Sequence, residues 1–112
     1  MAKSFRTLYQ ALLTVTTAVT TYTVPAATNS ILATITVVNV STSTPATIKV
    51  WQTPTAATAV GDAYVIQPTI TLQAGEKMVM TGPKTISDGV TIKVQSSVAN
   101  VLNCLIEGAE LT

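Results

Sequence analysis

An all-β, antiparallel β-sandwich of about eight short strands, jelly-roll-like in outline, is the fold this sequence predicts. Three observations predict it. Threonine is about a fifth of the chain, valine is abundant, and the helix formers Glu, Lys, Arg and Gln are scarce; β-branched residues suit a pleated, half-exposed surface. Two turns, Gln73-Ala74-Gly75-Glu76 and Ser87-Asp88-Gly89, stand between runs of branched residues, and glycine takes positive φ there without steric cost. Strand-sized apolar runs recur with turn signals between them, as in sandwiches and jelly rolls.

Residues 1–8 form a short basic N-terminal arm, expected to lie on a neighbouring subunit, and residues 9–112 form a single sandwich domain. Strands are expected at Tyr9–Thr16 and Thr20–Val24, the second ended by Pro25. Ile31–Val40 is the clearest strand: Ile31, Ala33, Ile35 and Val37 form an apolar inner face, while Leu32, Thr34, Thr36, Val38 and Val40 form a mixed face suited to packing on another chain. In Thr47–Gln52, Ile48 and Val50 point inward, and Lys49 and Trp51 share the outer face; Trp51 is expected either at a contact or capping the end of the core. Thr53–Asp62 reads as a loop. Pro68 marks Tyr64–Leu72 as an edge strand or a bulge. Glu76–Met80 ends at Gly82-Pro83, and Lys84–Ile86 forms a short strand. Val90, Ile92 and Val94 point inward. Ala99–Glu110 is apolar on both faces, as in a central strand or one at a subunit contact.

The bulk composition excludes several functions. The chain has 112 residues, 10% of them charged, and a net charge of +1. Nucleic acid is not an expected partner, because phosphate binding runs on clustered Lys and Arg. Lys3 and Arg6 resemble the start of a signal peptide, but Tyr9, Gln10 and repeated Thr break the apolar run that a signal peptide needs. No run approaches the roughly 18 apolar residues of a membrane-spanning helix. With so little charge to keep copies apart, the composition suits a permanently associated subunit. Cys104, the single cysteine, has no partner for an internal disulfide and is read as a small buried hydrophobe. There is no histidine, so imidazole catalysis and the commonest metal ligand are absent. No phosphate loop, Rossmann fingerprint, zinc spacing or Gly-x-Ser-x-Gly elbow occurs. Asp62 and Asp88 are read as turn residues, and Glu107 and Glu110 lie near the C-terminal end. No enzyme, cofactor or metal site is expected.

The order of signals resembles small β-sandwich virion proteins of tailed bacteriophages. The residues that carry the resemblance are Tyr22-Thr23-Val24-Pro25-Ala26, Val37-Val38-Asn39-Val40-Ser41, Ile48-Lys49-Val50-Trp51, Leu72-Gln73-Ala74-Gly75-Glu76 and Ile86 to Val94. Ala27 departs from the looser pattern, which often has glycine there. The resemblance implies a non-enzymatic protein, oligomeric and often trimeric, that is built into the particle. It would be a capsid decoration (cement) protein contacting the major capsid protein, or else a tail, baseplate or fibre subunit. Its location would be the virion, assembled in the host cytoplasm. Phe5, Arg6, Tyr9 and Trp51 are the candidate interface residues. A carbohydrate-binding sandwich, stacking sugar on Trp51, Tyr22 and Tyr64, is the alternative of another class.

Overall fold

The computed structural model describes residues 3–54 and 64–111, with the backbone alone at 3–5 and 82–84. The loop expected at 53–62 therefore lies, from residue 55 and including Asp62, outside the described residues. Eight strands are described: β1 (Lys3–Leu12), β2 (Val19–Thr23), β3 (Asn29–Asn39), β4 (Ala46–Thr53), β5 (Val65–Leu72), β6 (Lys77–Ile86), β7 (Thr91–Ser96) and β8 (Leu102–Leu111). They form two four-stranded antiparallel sheets packed face to face. Sheet A has the order β1-β8-β3-β6, and sheet B the order β2-β7-β4-β5. The pairing is nested. β4 pairs with β5, β3 with β6, β2 with β7 and β1 with β8, as if one long hairpin had been folded over on itself.

The core forms where the inner faces meet. Ile35 and Val37 of β3 oppose Ile106 and Cys104 of β8 in sheet A; Ile48 and Val50 of β4, with Ile92 and Val94 of β7, line sheet B, and all are buried. The inward assignments in β4 and β7 agree with the sequence reading. In β3 the reading holds from Ile35 onward and fails before it. The register slips between Leu32 and Thr34, so Ala33 is an extra residue, and a one-residue slip exchanges the two faces. Leu32 and Ser30 are therefore buried, while Ile31 and Ala33 are only half-buried.

Two strand boundaries also differ from expectation. β1 starts at Lys3, so most of the segment read as an arm is a sheet strand; β8 runs to Leu111 and provides its pairing partner. β6 continues through Gly82-Pro83 as one strand. It is an edge strand with an irregularity at that point, where a missing N–H costs no ladder bond. Pro68 behaves as read: β5 is an edge, and its register breaks opposite Lys49.

Both turn glycines have positive φ, +80° at Gly75 and +78° at Gly89. The first turn is fixed by Asn39. This residue is 1% exposed. Its backbone N–H donates to the Glu76 carbonyl (2.8 Å), and its carbonyl accepts from the Gly75 N–H (3.1 Å). Its amide nitrogen donates to the carbonyls of Thr44 (2.8 Å) and Leu72 (3.0 Å), and its side-chain oxygen accepts from the Ser41 N–H (2.9 Å). One side chain thus ties the end of β3 to the 41–45 loop and to β5 in the other sheet.

Two glycine exchanges test this backbone. A Cβ on Gly108 would stand 2.1 Å from the Ile31 carbonyl oxygen, so Gly108→Ala is expected to destabilise the fold by about 1–3 kcal/mol. Ala27 has φ +56°, a left-handed conformation that costs a residue with a Cβ roughly 1–2 kcal/mol. After the entropy lost by a freer unfolded chain, Ala27→Gly is expected to stabilise by about 0.5–1 kcal/mol. Paired urea denaturation curves of the two variants check both signs.

Candidate interaction surface

The outer face of sheet A presents apolar side chains to solvent. Three rows of side chains cross all four strands. The first row is Lys77, Val38, Asn103 and Leu12; the second is Val79, Thr36, Leu105 and Gln10; the third is Thr81, Thr34, Glu107 and Thr7. Leu12 and Val79 are exposed, and Val40 lies just beyond the end of β3, 55% exposed. Val38 and Leu105 are half-buried between them. Only Lys77 and Glu107 carry charge in these rows. The sequence reading places Thr34, Thr36, Val38 and Val40 on such a mixed face, and the structure agrees. It places Leu32 there too, and Leu32 is in the core.

At the Glu107 end the face opens into a shallow groove of about 410 Å³, lined by Arg6, Thr7, Ala33, Thr34, Glu107 and Gly108. Thr34 Oγ1 donates to Glu107 Oε1 at 3.4 Å. A smaller apolar hollow, about 160 Å³, lies on the other side of the Ala33 bulge, between Leu32, Met80 and Ile66. Both exist because Ala33 pushes out of the regular pleat.

Below this face a polar clamp joins the two sheets. The Tyr22 hydroxyl donates to Glu110 Oε2 at 2.6 Å and lies 2.7 Å from Ser30 Oγ. Tyr22 has one hydroxyl hydrogen, so Ser30 is the donor in its contact. The Arg6 guanidinium pairs with the other Glu110 oxygen. Four strands, β1, β2, β3 and β8, meet in this cluster. Sequence reasoning missed it because Tyr22 and Glu110 stand 88 residues apart and Glu110 looks like a terminal acid.

The candidate interface residues take other positions than expected. Arg6 is largely exposed, but its guanidinium is held by Glu110. Tyr9 packs against the core, and burial, then the nearby Cys104, raises its hydroxyl pKa above the ordinary 10.0. Phe5 pairs with Ala109 in the β1–β8 ladder; its side chain lies outside the described part. Trp51 is 3% exposed. It does not cap the core: it pairs with Lys93 on the outer side of sheet B and stands outside the core cluster, with the Lys49 ammonium 5.3 Å from its ring centre, a cation–π distance. Arg6, Tyr9 and Trp51 are thus engaged within their own subunit, because β1 pairs into the sheet and the tryptophan is covered. Tyr22 is buried as well, so two of the three rings considered for sugar stacking present no open face.

Among the described residues, no three of His, Cys, Asp and Glu come close enough to hold a metal ion, and no helix is long and apolar enough to cross a membrane. Cys104 is free and buried, as read from the sequence. Comparison with protein-family profiles, curated proteins and solved structures gave no match.

Burial pushes the Cys104 thiol from its ordinary 9.0 up to about 12, which gives a pH-dependent prediction. The fold keeps the thiol neutral, whereas an unfolded chain releases its proton from about pH 9 upward. The stabilisation is complete below pH 9 and is lost as pH rises toward 12, by at most about 1.4 kcal/mol per pH unit. Denaturation of wild type against Cys104→Ala between pH 8 and 11 should show the steeper decline in wild type. At pH 8, a thiol reagent should label Cys104 only after denaturant is added.

Proposed function

We propose that this chain is a non-enzymatic structural subunit of a tailed-bacteriophage virion, a capsid decoration (cement) protein that works by surface contact. The observation that carries the reading is the outer face of sheet A: broad, sheet-like, and charged in its three central rows only at Lys77 and Glu107. Covering such a face desolvates few charges and gains apolar burial at about 25 cal/mol per Å². Specific association needs roughly 1,600 Å² in total. A small subunit repeated over a particle multiplies that gain without any reactive group. The nested strand order supports the same reading, since it is the connectivity expected of a jelly roll, an architecture used by viral coat proteins and lectins alike. That support is analogy at the level of fold. The sequence resemblance, which runs from Tyr22 to Val94, supplies the rest.

The contact differs in one respect from the sequence expectation. Arg6 and Tyr9 are turned toward their own sandwich, so the bracing surface is the strand face with Val38, Val79 and Leu105 rather than a laid-out arm. A capsid lattice, with or without further copies of the chain, is the partner this face serves.

Mass spectrometry of density-gradient fractions, from a culture that makes this chain, tests the reading. The chain is expected with intact particles, to remain with the heads when heads and tails are separated, and to leave them when Val38→Lys and Leu105→Lys are combined. Migration with the tails would favour the tail or baseplate alternative. Recovery only in the particle-free fraction would contradict both.

A further inference from the structure

We propose that the apolar hollow between β5 and β6 is a binding site for one small, uncharged apolar molecule about the size of benzene. The hollow lies in the seam where the β6 edge of sheet A faces the β5 edge of sheet B. The ladders of both edge strands break there. β6 sets Gly82-Pro83 against the single Ala33, and Gly82 brings no side chain to that step. β5 has Gln67 opposite Val50 and Val65 opposite Trp51, so Ile66 is an extra residue between them. Bulges re-aim side chains and are over-represented next to active sites. Here two of them, on facing edges, meet at one hollow. Leu32 and Ile35, both 3% exposed, form its floor.

The walls and the volume set the occupant. Leu32, Ile35, Ile66 and Met80 are apolar, and no charged residue lines the hollow. The polar side chains there are Thr34 and Thr81, and the Thr34 hydroxyl already donates to Glu107. An ordered water needs roughly two to four polar partners, and the lining side chains do not supply them. The volume is about 160 Å³. An engineered cavity of about 150 Å³ with the same kind of lining stays dry and binds benzene or xenon. A long acyl chain exceeds that room, and a carboxylate or ammonium on the ligand would meet no counter-charge among the lining residues. Met80 favours a ring, because a thioether gains from contact with an aromatic edge. Ile66 and Met80 are half-buried, so the entrance lies between them, on two strands that are not paired with each other. The polar groove at Arg6 and Glu107 offers a different chemistry on the other side of Ala33. The site does not depend on the virion reading.

The test is a methyl nuclear magnetic resonance titration of the full chain with benzene. Saturable shifts are expected at Leu32, Ile35, Ile66 and Met80, while the signals of the exposed Leu12, Val40 and Val79 stay in place. Benzoate, the same ring with a charge, should bind at least about tenfold more weakly. Ile66→Phe fills the hollow from its own wall. It should abolish the shifts at Leu32, Ile35 and Met80, with unaltered circular dichroism and a still-protected Cys104. The absence of saturable shifts up to the solubility limit of benzene overturns the proposal. So do equal shifts at Leu12, Val40 and Val79, equal binding of benzoate, or a folded Ile66→Phe variant that binds benzene like wild type. If that variant fails to fold, the wild-type comparison of benzene with benzoate decides alone.

Discussion

Sheet A breaks step along a single line, and much of the molecule depends on that break. β3 carries an extra residue at Ala33, β1 an extra residue at Leu8, and β6 has Gly82-Pro83 opposite the single Ala33, while β8 runs straight past all three. The face that β3 presents to the core is exchanged across the line. Ile35, Val37 and Asn39 face inward on one side, Leu32 and Ser30 on the other. Regular alternation would have brought Ile31 and Ala33 inside and left Ser30 in solvent. With Ser30 buried, the Tyr22 hydroxyl has a donor, and Glu110 can hold Tyr22 and Arg6 together. Gly108 is where β8 passes the break, and it must be glycine because the Ile31 carbonyl fills the space a Cβ would need.

Asn39 plays a matching part at the opposite end of β3. The clamp at Glu110 joins the sheets through side chains, whereas Asn39 joins them through backbone carbonyls. Every hydrogen-bonding direction it uses ends on a turn or strand end, so β3 is fixed at both ends and the faces of sheet A keep a constant attitude to the core. A fixed sheet face suits the proposed bracing role: a rigid surface forgoes less entropy on association than one that must first be ordered. The charge distribution serves the same end. The Arg6–Glu110 pair lies in the clamp, the Lys49 ammonium sits over Trp51 on the outer side of sheet B, and the middle row of the sheet A face, Val79, Thr36, Leu105 and Gln10, carries no charge.

Much of the fold was legible in the residues, and what was not has a common cause. The Gly75 and Gly89 turns, the alternation of Val90 to Gln95, the edge position of Pro68 and the central position of the last strand were readable because each depends on neighbours a few residues away. The bulge at Ala33, the inclusion of Lys3–Leu12 in sheet A and the continuity of β6 through Pro83 depend on strands far off in sequence. Gly108, a glycine inside a strand, was the one local sign of a close backbone approach, and it went unread. The site obeys the same rule. The mixed face of β3 could be seen from its own alternation. The Tyr22–Glu110 contact could not, and the proposed arm was misplaced because Lys3, Ser4, Arg6 and Thr7 look like a solvated terminus until β8 is laid beside them. Trp51 was correctly set on the outer face, and its burial was not foreseeable from β4 alone.

The central claim is that residues 3–12 belong to the sandwich, which the proposed contact through a strand face of sheet A presupposes. Cross-strand proton contacts in the nuclear magnetic resonance spectrum of a dilute sample test this most directly. The account predicts contacts between Arg6 and Gly108, Tyr9 and Ile106, and Ala11 and Cys104. Narrow, unshifted signals for residues 3–12 without those contacts would contradict it and return the segment to the role of a free arm.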